Sequence, residues 1–355
     1  MDLSRIFMKN ASPTKVGGQA ILEGLMMRGS RALSVAIREP NGNIHLSVEP
    51  LKPAGAWKKI PVIRGVVSFV SSLVTGTSVL LYGAEVLESF EGQEGAVPQG
   101  KDALTLWLEK RFDEDTAFKI EMYISVVLAI LLTVVLFILA PTFIMNLISR
   151  AGLKSVLLLN LCEGLLRICM FVAYIAAVSK MPDIRRVFEY HGAEHKTIHC
   201  YENGLELTPE NAQSFYTLHP RCGTSFMMFV MVISLLVFSL FGWPNLALRV
   251  VSRLVMIPVI AGLSYELLQW TGRHDGRLVR LLSLPGILLQ RLTTREPDEK
   301  QLEVAIAAMN AVLPSHEDPS LPVSYWVGHL TPEGAVKDEE ATEALRRKRE
   351  GGEKR

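Results

Sequence analysis

Between Tyr190 and Cys222 the chain reads YHGAEHKTIHCYENGLELTPENAQSFYTLHPRC, a stretch crowded with side chains that ligate metals and carry protons. Four of the eight histidines lie there: His191, His195, His199 and His219. On a helix turning about 100° per residue, with His191 at zero, Glu202 falls near ~20°, His195 near ~40°, His199 near ~80° and Glu194 near ~−60°. These five groups share roughly 140° of one helix face. Cys200 falls on the opposite side, so a continuous helix removes it from a shared ligand set. Two imidazoles one turn apart can hold one ion. His191, Glu194 and His195 also fit the H-x-x-E-H pattern of inverted zinc peptidases, in which the glutamate activates water. A third ligand is needed, and His199, Glu202, His219 and Cys222 are the nearby candidates. Nitrogen with sulfur suits zinc, while nitrogen with carboxylate also suits iron or manganese. Two plainer readings compete: a solvated or hydrogen-bonded helix face, and a metal-free acid–base or proton-relay site. Histidine density and the His219-x-x-Cys222 pair favour the metal.

Two further carboxylates, Glu163 and Glu266, lie within apolar runs. Charge at membrane depth is costly and faces a partner, a bundle interior or a cavity. Glu266 could serve as a distant metal ligand, or either carboxylate could pair with Arg167 or Arg253. Near the N-terminus, GGQAILEGLMMRG lacks the lysine and hydroxyl of a phosphate loop. It reads as a turn with hydrophobic packing, leaving Glu23 and Arg28 as secondary site candidates.

Apolar segments must position these residues. Hydrophobic residues make up 49% of the 355, gathered into long uncharged runs between ordinary polar stretches, which is a membrane pattern. A net charge of +1 gives no basic excess for nucleic acid. Four cysteines are too few and too scattered for a disulfide framework. The first residues lack the apolar core of a signal peptide. Residues 122–148, 155–179, 224–248 and 250–270 are each long enough to cross about 30 Å of hydrocarbon. They form two hairpins. Residues 60–87 are apolar but interrupted by Ser, Thr and Gly, and read as a helix lying against the membrane or the other spans. Alternating residues on either side of Asn41-Gly42 predict a β-hairpin.

The expected organisation follows in order. Residues 1–59 form a small β-rich segment, and 60–121 an interfacial or re-entrant helix with an acidic linker. Residues 122–179 make the first transmembrane hairpin, 180–223 the His/Glu-rich segment and 224–272 the second hairpin. Residues 273–313 give an interfacial helix broken at Pro285-Gly286 and a soluble helix, and 314–355 a charged tail. The fold is thus mainly α, a polytopic membrane bundle of about four transmembrane helices with a small N-terminal β-hairpin domain. Lys180, Arg185, Arg186, Lys196 and Arg221 outnumber the basic residues of the hairpin turns, which puts the central segment and both termini in the cytoplasm.

The motifs GGQAILEGLMMRG, YHGAEHKTIHCYENG, HPRCGTSF, AGLSYELLQ and LPGILLQRLTTREP, in this order, resemble the YqhQ-like family of bacterial membrane proteins. The resemblance runs from about Gly17 to about Leu313. It implies a multi-pass protein of the bacterial cell membrane and carries the description of a predicted metal-dependent enzyme. The expected function is a membrane-embedded metal-dependent hydrolase with a divalent ion, zinc first. His191 and His195 bind the ion, His219 or Cys222 completes the set, and Glu194 is the general base. Membrane lipids, a lipid-linked or membrane-protein substrate and a second copy of the chain are the expected partners. The rival reading is a metal- or proton-coupled transporter, or a scaffold or assembly factor, with Glu163 and Glu266 on the path.

Overall fold

The computed structural model describes residues 12, 14–51, 60–90, 107–108, 110–152, 154–242, 245–274, 276–313 and 326–332. Most of the acidic linker and all of the tail beyond residue 332 lie outside them.

Four short strands open the chain: β1 (Gly17–Ile21), β2 (Gly24–Arg28), β3 (Ala32–Arg38) and β4 (Ile44–Pro50). They pair antiparallel in sequence order. The β3–β4 turn falls at Asn41-Gly42 as expected, with Gly42 at φ 89°. A fifth strand, β5 (Trp326–Leu330), pairs antiparallel with β4 and puts His329 opposite His45. The expected hairpin is therefore part of a five-stranded sheet that draws its last strand from the segment read as tail. Pairing across nearly the whole chain leaves no local pattern to read.

Both faces of this sheet are buried. Along β3, Ala32 and Ala36 join one apolar cluster, while Leu33, Val35 and Ile37 join another. The period of two explains the division. The first cluster is closed by α10 (Glu299–Val312) and by α5 (Pro182–Glu202). The second is closed by Val79 and Val86 of α1 (Ile63–Glu88), and by Phe90.

α2 (Glu114–Val134) runs through a π-helical turn, Val135–Leu139, into α3 (Ala140–Arg150). After it come α4 (Val156–Val178), α5, the short α6 (Pro209–Gln213), α7 (Gly223–Ser239), α8 (Leu246–Thr271) and α9 (Arg277–Thr293). Among the described residues four helices are long and apolar enough to cross a membrane: 63–88, 119–150, 156–178 and 246–271. This set differs from the expected one. It includes α1, and α7 is too short to qualify because it stops at Ser239, well before residue 248. A new helix begins after Asn245, whose side chain accepts the Leu248 N–H as an N-cap. α9 also corrects the reading, since it continues through Pro285 without a break. Gly286 lies against Ser225 of α7, where a Cβ would come within 2.5 Å of the hydroxyl oxygen.

Candidate metal centre

α5 is a polar helix in a buried place. Met181 gives it an extended N-cap, Pro182 occupies its first turn, and Asp183 suits the positive end of the helix dipole. Gly204, at φ 71°, turns the chain away after Glu202. Every residue from Tyr190 to Glu202 except His191 and Tyr201 is fully buried. Cys200 belongs to the apolar core, on the side away from the histidines, as the helix geometry requires.

The returning loop completes the arrangement. His219 is fixed at its main chain by Gln290 of α9, which accepts from the His219 N–H and donates to its carbonyl, each at 2.8 Å. Cys222 is the N-cap of α7, and its sulfur accepts from the Thr224 N–H and hydroxyl. These anchors bring a thiol and an imidazole back onto the α5 face.

Two groups of three donors result: His191, His195 and Cys222, and then His199, Glu202 and His219. Within each, the donor atoms lie within 4.8 Å of one another. In the first, His191 and His195 have ring centroids 4.4 Å apart, and His191 Nε2 is 3.2 Å from the Cys222 sulfur. His191 Nδ1–H donates to the Thr293 carbonyl at 2.8 Å, and His195 Nδ1–H to the Thr217 carbonyl at 2.5 Å. Both Nε2 atoms are thereby turned towards the sulfur. His195 Nε2 is buried and has no hydrogen-bond partner among the described residues. A metal-bound histidine ordinarily donates its second N–H to a carbonyl in this way. The donor set and the orphaned nitrogen therefore fit a divalent ion, and two nitrogens with a thiolate suit zinc best.

Electrostatics agree with the geometry. Burial alone would raise the Cys222 thiol, yet the His191 and His195 imidazoles beside it bring it well below the ordinary range. Burial opposes a charge on His191, but the Cys222 sulfur and the Glu194 carboxylate carry its pKa up to about 9. Glu194 is buried next to this set, and burial pushes its carboxyl upward against the pull of His191 and His195. That moves it towards the range where a general base works near neutrality. It accepts the Gly18 N–H at 2.8 Å. Gly18 is required there, because a Cβ would come within 2.5 Å of the Met26 carbonyl and 2.8 Å of the Glu194 carboxyl carbon.

The second group is tied differently. Arg221 binds the Glu202 carboxylate, and the Thr14 N–H donates to it at 2.8 Å. His219 Nε2 stands 3.5 Å from Glu202. His199 Nε2–H donates to the Leu218 carbonyl at 3.0 Å. Burial pushes the His199 pKa down to about 4 and that of His219 well below its ordinary value. Glu202 thus anchors the N-terminal segment and Arg221, and the neutral imidazoles back the first group.

Glu266 is not brought to either group. It pairs with Arg64 of α1 and accepts the Val62 N–H at 3.2 Å. Glu163 is held by Arg253 at 2.6 Å, Arg167 at 3.3 Å and the Thr142 hydroxyl at 2.7 Å. Glu163 thus pairs with the two arginines the plainer reading named, whereas Glu266 pairs with Arg64, which it did not. Glu23 pairs with Arg186. Sequence reasoning missed Gly18, Thr217, Thr293 and Gln290. The first three contribute main-chain groups, which no side-chain pattern reveals.

A cavity of about 440 Å³ lies over the site, lined by Glu194, His195, His219 and Cys222 and by residues of β1, β2 and α1. A family model described as "Protein of unknown function (DUF1385)" matches residues 60–315, which run from the start of α1 to just past α10. The chain belongs to the DUF1385 family. It is 36% identical over 313 residues to "Uncharacterized protein YqhQ" of Bacillus subtilis (strain 168), covering 86% of this chain and 94% of that protein. No solved structure matches. The expected YqhQ-like resemblance is confirmed. All six residues of these two donor groups lie inside the matched span.

Proposed function

We propose that this protein is a membrane-embedded metal-dependent hydrolase whose site faces the cytoplasm. One observation carries the reading: two imidazoles with their Nδ1–H groups on carbonyls turn Nε2 towards a thiol beside a buried glutamate. His191, His195 and Cys222 would hold the ion, which when bound supplies Lewis-acid polarisation of a substrate oxygen. Glu194 takes the proton from the attacking water and returns it to the leaving group. Thr293 and Thr217 hold the imidazoles in one tautomer, and Gly18 orients Glu194.

The membrane part of the proposal assigns the crossings to α2–α3, α4, α8 and the shorter α7, whose 17 residues rise about 25 Å and whose far end meets the start of α4 where Asn160 donates to the Phe241 carbonyl. Packing supports leaving α1 out. Its Gly65 lies against Gly262, inside α8, while Gly76 and Gly83 lie against Gln19 and Ile21 of β1. The C-terminal half of α1 is thus held against the sheet. The basic central segment supports a cytoplasmic position for the sheet side in a bacterial cell.

Complementation of a deletion strain tests the enzyme reading. Glu194→Gln is expected to keep the fold and the ion yet fail to complement, as does His191→Ala. A scaffold predicts that both variants complement, and that result would overturn the proposal.

A further inference from the structure

The cavity above the donor set carries a second chemistry at its rim. Lys15 and Arg28 line it, as do Ser72 and Thr75 of α1. Arg221, the third cation, is spent on Glu202. Lys15 and Arg28 have no ion pair or hydrogen-bonded side-chain partner among the described residues. Arg28 ends β2 half-buried, with Gly29 following at the cavity wall. A guanidinium that is partly desolvated and unpaired beside a cavity is suited to a forked anion.

We propose that this cavity binds a phosphate-bearing ligand, with Arg28 and Lys15 holding the phosphate above His195 and Cys222. The inference rests on the metal reading. With a divalent ion offset by the Cys222 thiolate and the Glu194 carboxylate, and with Arg221 offset by Glu202, Lys15 and Arg28 remain as two uncompensated positive charges. A phosphate monoester matches that excess. The hydroxyls of Ser72 and Thr75, which also line the cavity, add neutral donors. α1 also suggests where the ligand arrives from. Val70, Leu73 and Val74, on its other side, are each more than half exposed. A helix with hydroxyls towards a cavity and apolar residues outward lies at the level of a membrane surface. The phosphate can thus come from a lipid headgroup or from free solution.

Calorimetric titration of the full chain in detergent tests this, with inorganic phosphate and short-chain phosphatidate as probes and the metal content measured on the same sample. Both probes are expected to bind. Tighter phosphatidate identifies a lipid headgroup as the source, and equal affinity identifies free phosphate. Arg28→Gln is expected to weaken either probe by about tenfold or more, in line with loss of a charged hydrogen bond. Arg28→Lys should recover part of that loss, and Arg185→Gln, a similar charge removal on an exposed helix turn, should change nothing. Binding of neither probe overturns the inference, as does wild-type affinity in the Lys15→Gln/Arg28→Gln double variant. Metal-loaded protein that ignores both probes would sink this inference alone, whereas metal-free protein that still binds them through Arg28 would sink the metal reading alone.

Discussion

His199 and His219 are buried imidazoles that resist protonation, and His191 and Cys222 are neighbours that favour opposite charges. Each sets a limit on stability with pH. For His199 the folded pKa is about 4 against an ordinary 6.5, so the unfolded chain binds protons first as pH falls. Its contribution is complete above 6.5 and is lost on the way down to about 4. The raised pKa of His191 acts the other way: its contribution is complete below 6.5 and lost as pH rises through about 9. The lowered Cys222 thiol offsets that loss between 6.5 and about 9, so chelator-treated protein should hold its unfolding temperature across that range and lose it as pH falls below 6.5. A midpoint still rising below 6.5 would contradict the burial of His199 and His219. Cysteine reactivity offers a second check. Cys222 should react with an alkylating reagent at neutral pH and be protected by added zinc, while Cys200, whose thiol burial raises, stays inert. Equal labelling of both would show that the His191–Cys222 pairing is wrong.

α5 shows how much of the site was legible in the sequence. The helix period placed His191, Glu194, His195, His199 and Glu202 on one face and Cys200 on the other, and the folded chain keeps that division. What could not be read was which donors would meet. Selection among His199, His219, Glu202 and Cys222 depends on where the returning loop is anchored, and Gln290 fixes it from far along the chain. The missing β5 has the same cause. Gly192, inside the H-x-x-E-H pattern, also has a tertiary reason: a Cβ there would lie 1.9 Å from the Arg295 carbonyl. Gly192→Ala must push the 294–295 segment away, and Thr293 with it, loosening the carbonyl that orients His191. The expected loss is about 1–3 kcal/mol in chemical denaturation, the range for overpacking, together with weaker metal retention. A variant as stable as wild type would show that α5 does not pack against this segment.

At the scale of the whole molecule, a sheet closed by α1 on one side and by α5 and α10 on the other sits beside an apolar bundle, with the cavity among β1, β2, α1 and α5. Composition showed the apolar runs, but it could not distinguish α1, which is long and apolar enough to cross, from a helix that spends half its length under a sheet. If α1 stays on the cytoplasmic side, Lys154→Cys and Asn245→Cys should react with an impermeant thiol reagent on intact cells. Asn41→Cys and Glu296→Cys should be protected until the membrane is opened. Labelling of Asn41→Cys from outside would mean that α1 crosses.

The central claim is that His191, His195 and Cys222 hold one divalent ion, and elemental analysis of detergent-purified full chain tests it most directly. Wild-type protein should carry about one zinc per chain. Most of it should be lost in His195→Ala and Cys222→Ser and retained in Glu266→Gln, whose carboxylate faces Arg64 instead. Wild-type protein free of metal that still complements a deletion strain, or full occupancy in both ligand variants, would contradict the account.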